Sequence, residues 1–140
     1  MDQRTVTDSV LIASQAMTNS ATVTANLDTA GSAYADIIIN LASEINTNAV
    51  GPTLSLLESD DTAVSNFATV TANLAAVAIV TAQSATYGVD LRGRKRYLRL
   101  SVTTGTTTND DVTVGAIARL SRKAIGPATT ASSGDVVTYV

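Results

Sequence analysis

The chain has 140 residues and a net charge of −3, enough length for one domain with a real core. It contains no Cys, no His and no Trp. That excludes disulfide staples, thiolate or imidazole metal sites, and nucleophilic chemistry built on Cys or His. Ala and Thr number 22 each, Val 15 and Ser 13, about half of the chain. Stiff β-branched side chains at this level suit pleated sheet. The charged fraction is 15%, against about 25% in ordinary soluble domains. Part of the surface is therefore expected to lie against partners.

Taken in chain order, residues 9–17 form an apolar patch that fits an edge strand or a docking arm. Residues 20–27 alternate, with Ala21, Val23, Ala25 and Leu27 on one side and Thr22, Thr24 and Asn26 on the other. That is a strand with one wet face. Residues 28–32 read as a turn, and 34–41 as a buried strand carrying an Ile triplet. Residues 46–52 read as loop, 53–57 as a short strand, and Glu58-Ser59-Asp60-Asp61 as an acidic tip. Alternation resumes from Phe67 to Leu74, Ala75 to Thr81 continues apolar, and 83–88 reads as loop. Residues 94–102 give the clearest strand, with Leu98, Leu100 and Val102 inside and Tyr97, Arg99 and Ser101 outside. A polar loop over 103–111 leads into a return strand over 112–120. The last stretch, 124–140, reads as an extended tail with an apolar end, Val136-Val137-Thr138-Tyr139-Val140.

Seven or eight short strands with polar turns and no helical crossover predict an all-β fold, an antiparallel jelly-roll-like β-sandwich. The body is expected over 1–123, with 1–19 as an N-terminal arm and 124–140 as a C-terminal arm. A terminal strand can add to a sheet edge of another subunit or fold back on its own sheet. The heptapeptide ATVTANL occurs at 21–27 and again at 68–74. Its flanks do not match, so it reads as coincidence between strands rather than duplication.

Charge is unevenly placed. Residues 1–91 carry nine acids and one base, Arg4, whereas 92–123 carry eight bases and two acids. Such polarity favours contact between complementary faces over attraction to a polyanion. The densest chemistry is the run from Asp90 to Tyr97, with Arg92, Arg94, Lys95 and Arg96, followed by Arg99. Arg forks bind phosphate or carboxylate, but the acidic, aromatic-poor remainder argues against nucleic acid. Pairing with acids of the same chain or of a neighbour is the expected use, and the 58–61 tip is the obvious counterpart. Neither that tip nor Asn109-Asp110-Asp111 has the spacing of a calcium loop. Glycosidase carboxylates would need aromatic platforms, and G-x-S-x-G and Gly-rich phosphate loops are missing. No metal, no cofactor and no enzymatic activity are expected. The start, Met1-Asp2-Gln3-Arg4, lacks a signal peptide's basic head, and the longest apolar run, Leu74–Val80, is too short for a membrane helix. Assembly in the cytoplasm, without a membrane partner, is expected.

The segments VDLRGRKRYLRL (89–100), LESDDTAVSNF (57–67), SATVTANLDTAGSAYADI (20–37) and AIARLSR (116–122) resemble a group of small virion proteins of tailed bacteriophages, the capsid cement or decoration proteins. The resemblance covers residues 5–123. It departs from the pattern in the Ala-rich stretch 72–86, and the tail from 124 has no counterpart. It implies a trimer that sits on the phage head, binds the major capsid protein and stabilises the shell. The contact candidates are Glu58, Asp60, Asp61, Arg92, Arg94, Lys95, Arg96 and Arg99, with Val136, Val137 and Tyr139 of the C-terminal arm. Other readings are a phage tail-tube, neck or fibre-base component, or a calcium- or glycan-binding β-module.

Overall fold

The computed structural model describes residues 6–43, 52–70, 83–105, 111–122 and 136–139. Nine strands lie among them: β1 (Val6–Met17), β2 (Thr22–Asp28), β3 (Tyr34–Ser43), β4 (Thr53–Ser59), β5 (Ala68–Thr69), β6 (Gln83–Asp90), β7 (Tyr97–Thr103), β8 (Val112–Ser121) and β9 (Val136–Tyr139). The helical content among the described residues is one 3-10 turn, Val64–Asn66. None of their helices is long and apolar enough to cross a membrane.

Two sheets form, ordered β1-β8-β3-β6-β9 and β2-β7-β4-β5. The antiparallel partners are nested: β1 with β8, β2 with β7, β3 with β6 and β4 with β5. A long hairpin rolled up in this order is a jelly roll, and the fold is the expected all-β sandwich. The ninth strand lies outside this scheme and runs parallel to β6.

Period-2 alternation builds the core between the sheets. The larger sheet turns small and β-branched side chains inward: Ala35, Ile37 and Ile39 from β3, Ala85 and Val89 from β6, and Val114, Ala116 and Ala118 from β8. The smaller sheet supplies leucines, namely Leu27, Leu54, Leu56, Leu98 and Leu100. Leucines of one sheet meet Ala, Val and Ile side chains and the Tyr87 ring of the other, filling the space between the layers. Leu56 and Leu98 are fully buried, each worth about 1.5–3 kcal/mol relative to exposure.

The structure corrects several expectations. Residues 83–88 belong to β6 rather than to a loop. Ala85, Tyr87 and Val89 alternate inward there, a signal masked by the intervening Ser, Thr and Gly. The strand expected from residue 94 begins at Tyr97, because Gly93 takes φ +84° and turns the chain just before it. Of the two readings of residues 9–17, the edge strand holds: β1 lies at the edge of the larger sheet, paired along β8 from Val6 to Met17. The pairing slips between Val10 and Ile12 and again between Ile12 and Gln15. These bulges let the adjacent Leu11 and Ile12 both reach toward the core. Of the strand expected over 67–74, Ala68–Thr69 is seen, while 71–74 and the apolar run 74–80 lie outside the described residues.

Candidate interaction surface

One end of the sandwich gathers the charge. There β2 stops at Asp28, β4 at Ser59 and β6 at Asp90, while β3 starts at Tyr34 and β7 at Tyr97. The turns 29–33, 60–67 and 91–96 therefore sit side by side. Backbone bonds fasten them: Leu91 N–H donates to Ala33 O at 2.9 Å, and Thr29 donates from both N–H and Oγ1 to Arg96 O.

On this frame the acidic tip and the basic run meet within one chain. Arg94 lies 3.8 Å from Glu58, and Lys95 Nζ 3.4 Å from Asp60. Arg96 forks onto Asp28 at 2.7 and 3.0 Å, and Arg92 onto Asp90. Arg92 also lies over the Tyr34 ring, and Arg96 over Tyr97. Asp61 instead accepts from the Asn66 side chain and from Ala63 N–H, closing its own turn. Of the two uses expected for these charges, pairing within the chain is the one seen. Asp28 and Asp90, missed as partners from sequence, are the best-held acids. The Arg96 fork, with Ala30 N–H, brings the Asp28 carboxyl down to about 2. The Arg92 fork and backbone N–H do the same for Asp90, also to about 2. Asp28 was legible only as a turn residue, and nothing in its spacing points at Arg96, its partner across 68 positions.

Arg99 corrects the sequence reading most sharply. Expected outside, it is 8% exposed. Its Nε donates to Asn26 Oδ1 at 2.7 Å, and its guanidinium stacks 3.9 Å from the centre of the Phe67 ring. It points to the outer side of β7, but the chain's one Phe folds over it. It is a covered structural cation, not a free contact residue.

The outer face of the larger sheet carries a feature absent from the sequence candidates. Register places Val10 beside Ile117 and Ile117 beside Ile38. Val10 is 69% exposed and Ile117 37%, so an apolar row crosses three strands toward solvent. The next row is Asp8, Arg119 and Asp36, with Arg119 Nε donating to Asp8 at 2.9 Å. Partial burial raises the Asp36 carboxyl despite Arg119. Counting by two from Asp8 would have exposed this face, had β1 been treated as regular strand. Two rows on the outer face of the smaller sheet are hydroxylic: Thr22, Thr103 and Thr53 share one, Thr24, Ser101 and Ser55 the next. Val136, Val137 and Tyr139 lie on β9, opposite Ala85, Thr86 and Gly88.

No family model matches the chain, and no curated protein does. A chain in a solved structure of infectious bursal disease virus, Gx strain, is similar to it with a TM-score of 0.50 and 13% identity. The similarity covers 90% of this chain and 34% of that one, so this chain spans about a third of its length. The likeness is one of fold, in agreement with the nested strand order above. Among the described residues no group of three or more carboxylates stands close enough to hold a metal ion. The Asn109-Asp110-Asp111 motif falls largely outside them.

Proposed function

We propose that this protein is a non-enzymatic structural component of a virus particle, a jelly-roll subunit that binds a capsid shell as a tailed-phage cement or decoration protein. One observation carries the reading: the whole described body is a jelly roll similar to a chain of a virus structure. The exposed Val10–Ile117–Ile38 row supports it, because apolar side chains aligned across a flat sheet suit a packed contact. The internally paired charged end leaves few free charges to be stripped of water on docking. A trimer touching several capsomers would resist the outward push of packaged DNA through avidity.

Cryo-microscopy of the intact particle tests this. Trimers of this fold on the head, at local three-fold sites between capsomers, are the expected result. Density for the fold in the tail tube, neck or fibre base would replace cement by a tail role. Absence from the particle, or a large stabilisation by calcium or a glycan, would overturn the virion reading in favour of a binding module.

A further inference from the structure

We propose that β9 is an exchangeable strand: the outer edge of β6 is an acceptor that takes residues 136–139 from a neighbouring copy of this chain. The inference concerns contacts between copies and stands apart from any position in a particle.

Every ladder of the eight-stranded body is antiparallel, whereas β9 pairs with β6 in parallel. The β9 strand is four residues long and has a single neighbour in its sheet. A hairpin would bind it to its own body. Residues 122–135 separate it from β8 instead, with Gly126, Pro127 and Gly134 among them and no alternating pattern. Ser121 stands level with Asp90, since both pair with Tyr34, while β9 begins level with Ala85. Reaching that start means about 17 Å back along the strands and about 14 Å across three of them, some 22 Å in all. The linking residues can stretch to about 45–50 Å. Roughly twice the needed reach puts the same edge of an adjacent copy within range.

The local pairing is identical in both arrangements, so effective concentration decides between them. A tether of this kind holds its strand at about millimolar concentration, so a dilute chain keeps β9 on its own β6. Copies crowded side by side reach a similar concentration, and a closed ring of exchanged strands adds avidity. Opening costs one short edge ladder and leaves the nested body intact. A vacated β6 edge is an open template, so a partner's strand is its natural cover.

The chain lacks Cys, which gives a clean test. Thr86 and Val137 are register partners at a spacing that a disulfide accepts. Two single variants, Thr86→Cys and Val137→Cys, are mixed at about 10 µM and at about 1 mM, the tether's own effective concentration. After oxidation the disulfides are counted by mass spectrometry. The mixed 86–137 disulfide should exceed both same-site disulfides about ten-fold at the higher concentration and fall away on dilution. Gly88→Cys with Tyr139→Cys, the next outward pair, is read in the same way should the first pair disturb folding. A mixed disulfide no more abundant than the same-site ones, while a chain carrying both Thr86→Cys and Val137→Cys (the double variant) closes within itself, would show that β9 belongs to its own body. Failure of the double variant to close at all would remove β9 from the β6 edge. Both results overturn the proposal.

Discussion

The Arg99 guanidinium lies 3.9 Å from the centre of the Phe67 ring, with its Nε bonded to Asn26. One aromatic thus keeps a cation dry beside the two hydroxylic rows of that sheet face. A desolvated cation–π contact is worth about 2 kcal/mol. Phe67→Leu should lower stability by about that amount, and Arg99→Met should remove most of the penalty. A double-mutant cycle by urea denaturation checks the coupling.

Acid should loosen the charged end. Asp28 and Asp90 titrate near 2 in the folded chain, below the ordinary carboxylate value of about 4. The unfolded chain takes up protons first as pH falls, so their contribution is full above about pH 4 and is lost toward pH 2. The unfolding midpoint followed from pH 6 to pH 2 should drop over that window. The drop should be shallower in Asp28→Asn/Asp90→Asn.

Asp36 should behave in the opposite sense. Its folded carboxyl titrates above the ordinary value because burial penalises its charge. The native state then holds its proton more tightly, so stability is lost as pH rises through that range. Asp36→Asn should stabilise the protein at pH 7 and make no difference near pH 3, as measured by thermal unfolding.

Tyr87 is fully buried, and its hydroxyl finds no partner among the described residues. Burial accordingly pushes the phenol well above its usual range. Tyr87→Phe deletes an orphan polar atom and should leave stability unchanged or raised. Tyr87→Ala should cost about 3–5 kcal/mol, because the ring fills the core beside Ile37. Denaturant titration of both variants separates the ring from its hydroxyl.

Val10→Lys should leave unfolding within about 0.5 kcal/mol, since the site is exposed. Its effect should fall on assembly. On the proposed capsid-binding role, cosedimentation with capsids lacking the protein is expected to drop by ten-fold or more for the variant.

The sequence was most legible where alternation was clean. Thr22–Asp28 and Val112–Ser121 stand where period 2 put them, and the sandwich follows from such strands. It failed where side-chain chemistry hid the period. β6 carries Ser84, Thr86 and Gly88 between its core residues, so polarity outweighed alternation. In the candidate surface, the attraction between acidic tip and basic run was visible, but its address was not. Whether Arg94 meets Glu58 of its own chain depends on β4 and β7 lying side by side, a long-range fact that composition does not carry. Arg99 was misread because alternation gives the face of a strand and says nothing of the loop that folds over it.

The nested pairing also governs how the chain acquires its shape. Asp8 meets Arg119 111 positions further along the chain, and β2 meets β7 across roughly 70–80. Few local contacts reward early steps, so loop-closure entropy must be met before the sheets stabilise one another. Folding should therefore be slow, on the millisecond-to-second scale of non-local β proteins. During synthesis β1 must wait, unpaired, until β8 has emerged from the ribosome. Each newly made chain passes through that vulnerable interval, where a lone Val10-bearing strand is open to the wrong neighbour.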